Sequence, residues 1–277
     1  MCRSCGEHVA QNLWYLQPAN HVSSGVIQDF VDRIMYNGIV VPGLKSISKR
    51  QRYGTQRWSG VQLALWNWIT KSLHSFQVLP DAESAFKAID LSNELGLSVC
   101  SCAAHLDSSH PQIFRCIGMN NAAKITFKDK SQPFEPLTKQ QAKEVVAEWR
   151  AKGCYQTIGW RMGPNVTWLC NCDQWCGCHW SPELEWGQIP SFFVARVDFP
   201  EKCQGCRECT TWCHRQGALT YNADGVVQID GALCKGCGLC IEHCPNGVLG
   251  YAPRQEYYDV PTLRKMRLPD QGVLAVG

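Results

Sequence analysis

Apolar residues recur with a helical period near the N-terminus. Val26, Ile27, Phe30, Val31 and Ile34 share one face and Asn37-Gly38 supplies a stop, so the spacing predicts a helix over residues 23–37. A second stripe, Val61, Leu65, Trp68, Ile69 and Phe76 widened by Trp66 and Leu73, predicts another helix before Pro80. From residue 81 the pattern becomes helix then strand, twice. Asp81 is placed to cap a helix carrying Ala85, Phe86, Ile89 and Leu95, with Gly96 as its end, and LSVCSC then reads as a buried strand. Thr138 and Gln141 form a capping-box pattern before Val145, Val146 and Trp149; Gly153 closes that helix and YQTIGW follows as a strand. Residues 166–169 read as one more strand. The fold class expected is α+β, with an N-terminal helical region (1–80), a small α/β middle unit (81–190), a cysteine-dense unit (191–253) and an extended tail (254–277).

Composition narrows the setting. A chain of 277 residues, 18% charged and 10% aromatic with 11 tryptophans, has room for about two domains and is globular rather than disordered. No basic stretch followed by an apolar core opens the chain, and no run of about 18 apolar residues occurs. Its 18 cysteines therefore read as reduced thiolates holding metal in the cytoplasm. The charge is uneven: residues 34–80 contain no acid but carry Lys45, Lys49, Arg50, Arg52, Arg57 and Lys71. A basic, tryptophan-rich segment suits an acidic partner protein, an anionic membrane surface touched peripherally or a nucleic acid, and equally a solvated loop before a core helix.

Two cysteine runs carry the strongest chemical signal. Cys203, Cys206, Cys209 and Cys213 follow CxxCxxCxxxC, and Cys234, Cys237, Cys240 and Cys244 repeat it. Duplicated four-cysteine runs are an iron–sulfur signature, whereas zinc sites usually show two separated pairs. In such runs three thiolates on a tight loop hold three corners of a cubane and the fourth crosses to its neighbour. This assigns Cys203, Cys206, Cys209 and Cys244 to one 4Fe-4S cluster and Cys234, Cys237, Cys240 and Cys213 to the other.

The stretch resembles the bacterial-type ferredoxin with two 4Fe-4S clusters. Its halves align as VDFPEKCQGCRECTTWCHRQGALTY and QIDGALCKGCGLCIEHCPNGVLGY, which implies a dicluster ferredoxin domain of two similar halves packed face to face. Gly205, Gly236 and Gly238 fit loops whose backbone approaches the cluster sulfide closely. The family's proline after the fourth cysteine is kept at Cys244-Pro245 but replaced by His214 after Cys213, a departure that leaves ligation intact and bears on the cluster potential.

A further group of thiols lies upstream. Cys170, Cys172, Cys176 and Cys178, within WLCNCDQWCGCHW, have a CxCxxxCxC spacing that fits neither the ferredoxin run nor a zinc ribbon. Cys100, Cys102 and Cys116 are placed to join them. The expected third metal site uses Cys102, Cys116, Cys170, Cys172, Cys176 and Cys178, with Cys100 as a substitute; a third iron–sulfur cluster is preferred over zinc or uncoordinated redox thiols. His105, His110 and His179 are candidate ligands, and Cys2 and Cys5 are either free thiols or a further ligand pair. The order VLP, helix, VCSC, the later cysteines and FVARVD resembles an uncharacterised family of 4Fe-4S dicluster proteins. Ala103 and Ala104 stand where that family has an arginine, and the resemblance implies metal binding rather than a particular reaction.

No nucleotide loop, serine triad or flavin fingerprint stands out. The reading that follows is an electron-transfer protein or subunit serving a larger oxidoreductase. The alternatives are a reductase with its own catalytic cluster in the middle unit and, ranked last, a redox-responsive nucleic-acid binder.

Overall fold

The computed structural model describes residues 14–16, 18–21, 34, 61, 64, 74–100, 114–120, 134–161, 166–173 and 188–254. The expected helix at 23–37 (Ile34 apart), the basic run, the tail beyond Arg254, Cys2, Cys5, Cys102, Cys176, Cys178, His105, His110 and His179 lie outside those residues.

Seven strands form the central sheet: β1 (His74–Val78), β2 (Leu95–Val99), β3 (Phe114–Met119), β4 (Phe134–Pro136), β5 (Tyr155–Arg161), β6 (Val166–Cys172) and β7 (Gln188–Ile189), in the order β4-β2-β3-β6-β5-β1-β7. Every pairing is antiparallel except that of β1 with β7. The small α/β unit of paired helices and strands is thereby corrected to a wide antiparallel sheet with helices on one side. Of the helical stripe expected before Pro80, Val61 is helical and Leu65, Trp66, Trp68, Ile69 and Leu73 lie outside the described residues; Phe76 is corrected, because it lies in β1, opposite Gly159, with the ring filling the space a Gly159 side chain would need. Val78 and Phe76 alternate onto the same sheet face, a period of two that overrides the helical phase Phe76 shares with residues further upstream.

Two helices cover one face. In α1 (Ala82–Leu91) the Asp81 carboxylate accepts from the Ser84 N–H at 2.7 Å, as its capping position requires. The helix ends at Ser92, whose hydroxyl donates to the Ala88 carbonyl, and not at Gly96, which sits within β2 opposite Gly118 and Pro136. In α2 (Lys139–Ala151) the reciprocal Thr138–Gln141 capping box is formed, and Gly153 takes φ +87° just beyond the end. Ala85, Ala88 and Ile89 of α1 and Ala142 and Val146 of α2 pack on Ile117, Met119, Ile158 and Leu169 of the sheet. Burying one such aliphatic side chain contributes about 1.5–3 kcal/mol.

The opposite face carries Phe76, Val78, Cys100, Cys116, Tyr155, Trp168, Cys170 and Cys172, and it packs against Trp212, Cys237 and Leu239 of the C-terminal segment. That segment begins with β8 (Phe193–Val197) and closes with β11 (Leu249–Pro253), which pairs antiparallel with it. Between them lie α3 (Glu208–Thr211), the hairpin β9 (Leu219–Tyr221) and β10 (Val227–Ile229), and α4 (Leu239–Glu242). No helix among the described residues is long and apolar enough to cross a membrane.

Candidate iron–sulfur sites

Each half of the C-terminal segment turns its cysteine loop into a one-turn helix through a left-handed residue: Arg207 (φ +64°) before α3 and Gly238 (φ +75°) before α4. Gly205 and Gly236, one residue before the middle cysteine of each loop, also have positive φ, at +65° and +70°. The two halves differ in what surrounds them. A Cβ on Gly238 would stand 2.0 Å from the Tyr251 hydroxyl and 2.2 Å from the Pro80 carbonyl, and one on Gly236 would stand 1.9 Å from the Phe193 carbonyl. Glycine at 236 and 238 is thus demanded by the backbone and tyrosine that roof the second loop.

The loops enclose two hollows. One is lined by Cys203, Cys206, Cys209 and Cys244 together with Tyr221 and Val248. The other is lined by Cys213, Cys234, Cys237 and Cys240 with Tyr155, Trp212 and His214. Each hollow therefore gathers three cysteines of one run and the last cysteine of the other. Cys206, in the first, is exposed, whereas every cysteine of the second is half-buried or buried. We refer to the two as the outer and inner hollows.

Burial pushes the Cys237 thiol up to about 12 and also raises those of Cys213 and Cys240. Thiols in this setting ionise only if a cation takes up their charge, as an iron cluster does. Among the described residues no three or more His, Cys, Asp or Glu side chains close around a single metal ion. A cubane spreads its four ligands over four separate irons, so thiols facing one another across a hollow suit it better than a lone ion.

Long-range contacts hold the inner half to the sheet. Arg150, at the end of α2, donates to Glu242 of α4 at 2.7 and 2.6 Å, to the Gln156 side chain at 2.6 Å and to the carbonyls of Cys237 (2.9 Å) and Pro80 (3.3 Å). His214 meets the Gly153 carbonyl through Nε2 at 2.6 Å and lies 5.8 Å from the Tyr155 ring. Trp212 stacks on His243 with ring centroids 3.5 Å apart. Buried Arg254 donates to the carbonyls of Ser191, Gly231, Phe193 and Cys234, pinning the start of the second loop.

On the sheet, the Cys116 thiol is in hydrogen-bond contact with those of Cys100 and Cys170, and these contacts followed by burial hold it well above the ordinary thiol range. Cys172 lies two residues along β6 from Cys170, 3.5 Å from the Thr157 hydroxyl. Of the thiols expected at the third site, the structure brings together Cys116 and Cys170, with Cys100 beside them and Cys172 on the same face. Sequence reasoning missed Cys154, whose thiol burial pushes up to about 12. It lies 3.9 Å from the buried Arg115, which pairs with Asp173. A solitary cysteine gives no spacing signal that would have found it.

A repeated loop-and-helix unit with two hollows, each facing four thiols, defines a two-cluster ferredoxin-type segment. Residues 196–254 match the family model of the 4Fe-4S dicluster domain. The chain is similar to the NADH-quinone oxidoreductase subunit I 2 of Streptomyces coelicolor, at 35% identity over 21% of this chain and 39% of that protein. It is also similar to the pyruvate synthase subunit PorD of Methanocaldococcus jannaschii, at 40% identity over 16% of this chain and 51% of that protein. A protein of Nitratidesulfovibrio vulgaris is 36% identical over 23% of this chain and 18% of its own length. The chain thus spans about half or less of the length of these relatives. No solved structure matches it.

Proposed function

We propose that this chain passes electrons through two 4Fe-4S clusters with crossed ligation, to or from a larger oxidoreductase. Cys203, Cys206, Cys209 and Cys244 hold the outer cluster, and Cys213, Cys234, Cys237 and Cys240 hold the inner one. The observation that carries this reading is the sorting of the eight cysteines into two hollows, each taking three from one run and one from the other. When bound, each cluster takes up and releases one electron at a time. The protein's part is positional. The one-turn helices α3 and α4 fix the third cysteine of each run, the β8–β11 pair and Arg254 fix the loops, and the Arg150 contacts keep the inner loop against the sheet. A rigid thiol cage keeps reorganisation on electron transfer small.

Cys102, Cys116, Cys170, Cys172, Cys176 and Cys178 are proposed to supply a third iron–sulfur centre or, alternatively, a zinc site, with Cys100 entering the ligand set. The contact of Cys116 with Cys100 and Cys170, on the face that also packs against Cys237, supports a third centre close to the inner cluster. Two of the relatives are named as subunits, one of an NADH-quinone oxidoreductase and one of a pyruvate synthase, which supports a larger partner here, and the acid-free stretch 34–80 is the proposed docking segment.

The test uses anaerobically purified chain given a chemical reductant and candidate substrates, with and without a co-purifying partner. Electron delivery that needs the partner is expected. Steady turnover by the chain alone would defeat the carrier reading and move attention to the Cys100–Cys116–Cys170 thiols as an active centre.

A further inference from the structure

The two halves of the repeat use equivalent residues differently. Tyr221 and Tyr251 end the aligned stretches GALTY and GVLGY. The Tyr221 hydroxyl lies 3.4 Å from the Cys209 sulfur and 2.6 Å from the Thr210 hydroxyl. With Cys209 as a thiolate ligand, one arrangement satisfies both contacts: Thr210 donates to the phenol oxygen and the phenol donates to sulfur, each bond polarising the next. Tyr251 instead donates to the Pro80 carbonyl at 2.8 Å, and Ile241 stands at the repeat position of Thr210.

A second pair of donors divides in the same way. The Val248 N–H donates to the Cys244 sulfur at 3.3 Å, while its counterpart, the Ala218 N–H, donates to the Arg215 carbonyl at 3.1 Å. Cys209 and Cys244 both line the outer hollow. Reduction adds negative charge to the ligand sulfurs, so donors aimed at them stabilise the reduced form and raise the potential, as does contact with solvent.

We propose, resting on the two-cluster reading above, that Tyr221, with Thr210 behind it, is a potential-setting residue that makes the outer cluster the easier of the two to reduce. A chain carrying one electron then holds it at the exposed end, beside Cys206, where a partner can reach it.

The experiment is a redox titration of the full chain followed by electron paramagnetic resonance, with iron and sulfide counted on the same samples. Wild type, Tyr221→Phe, Thr210→Val and Tyr251→Phe are compared, and Cys206→Ser and Cys237→Ser mark which signal belongs to which cluster. In Tyr221→Phe the reduction equilibrium constant of the cluster marked by Cys206 is expected to fall about tenfold, about 59 mV for a one-electron couple, with the other cluster unmoved. Thr210→Val should give a smaller shift of the same sign, and Tyr251→Phe should leave the outer cluster where it was. No shift in Tyr221→Phe, an equal shift of both clusters, or a shift confined to the cluster marked by Cys237 would overturn the proposal while two clusters are counted. A wild-type content well below about eight irons with matching sulfide would instead remove the two-cluster reading, and this inference with it.

Discussion

Replacing Arg150 by methionine removes the hub that joins the sheet to the inner half. The guanidinium is only 6% exposed and its partner Glu242 is 36% exposed, so the two ends of the pair have different fates when it is broken. Released Glu242 regains water at little cost. The buried Gln156 Oε1 loses its donor, although Gln156 Nε2 still donates to Asn171 at 3.0 Å, and the Pro80 carbonyl keeps the Tyr251 hydroxyl. The Cys237 carbonyl loses the Arg150 donor, and the site loses the charge-assisted bonds to Glu242. Breaking a fully buried pair costs about 3–5 kcal/mol, and the solvent access of Glu242 moves the expectation to the low end, about 3 kcal/mol. With a urea dependence of about 2 kcal/mol per molar, that is a midpoint lower by about 1.5 M. Glu242→Gln keeps the arginine's carbonyl acceptors and should cost about 1 kcal/mol. Anaerobic urea titrations would follow far-ultraviolet circular dichroism and cluster absorbance together, comparing midpoints of the same probe because cluster release breaks two-state behaviour. Since Arg150 binds the carbonyl of an inner-cluster cysteine, cluster absorbance should be lost earlier in Arg150→Met than in wild type. A midpoint for Arg150→Met equal to or above that of Glu242→Gln would refute the hub.

Three further outcomes follow from other sites. Crossed ligation requires Cys213→Ser to perturb the cluster held by Cys234, Cys237 and Cys240, and Cys244→Ser the one held by Cys203, Cys206 and Cys209. Spectra in which each substitution disturbs the cluster of its own run would reverse the assignment. A third cubane on the sheet predicts that Cys116→Ser or Cys170→Ser lowers the iron content of the full chain by about four; loss of one zinc with iron unchanged makes that site structural. His21 is buried, with Nδ1 3.0 Å from the Ser92 hydroxyl and Nε2 2.6 Å from the Tyr15 carbonyl, and burial holds its pKa below the usual value. The folded state therefore binds its proton less readily than the unfolded state. The contribution is complete above the unfolded value of about 6.5 and is lost as pH falls below it. Between pH 7.5 and 5.5 the wild-type melting temperature should fall further than that of His21→Asn, and equal falls would assign the acid sensitivity elsewhere.

What was legible in the sequence is what local chemistry fixes. The cysteine runs show because three ligands of a cubane must come from one tight loop, which forces their spacing. The Asp81 cap and the Thr138–Gln141 box show because a capping side chain reaches only two or three residues ahead. The sheet was legible only in part: the strands read at LSVCSC, YQTIGW and 166–169 fall in β2, β5 and β6, and the other four went unread. β4 and β7 have three and two residues, too short for alternation to register, and β1 carries a phenylalanine in phase with an upstream helical stripe. The junction was more hidden still. Arg150 finds Glu242, Tyr251 finds Pro80 and His214 finds Gly153 across separations of 92, 171 and 61 residues, where no local pattern operates. The family's missing proline at 214 was visible, but its structural use, a contact from the inner half to the sheet, was not.

The same junction explains why a repeat with matching cysteines has drifted apart between them. Where the outer loop has Arg207, its guanidinium 5.3 Å from the Tyr221 ring, the inner loop has Gly238, because the sheet-side Pro80 carbonyl and Tyr251 hydroxyl occupy the space a side chain would take. Where the outer helix has Thr211, its hydroxyl turned back to the Glu208 carbonyl, the inner helix has Glu242 facing Arg150. Thr210 and Tyr221 lie beside the Cys209 sulfur, whereas at the same repeat positions stand Ile241 and Tyr251, the latter bonded to the Pro80 carbonyl. The cysteines are held constant by ligation. The residues between them separate according to whether each meets the sheet side, as Trp212 and His214 of the first run and Glu242 and Tyr251 of the second do, or faces away from it, as Thr210 and Tyr221 do.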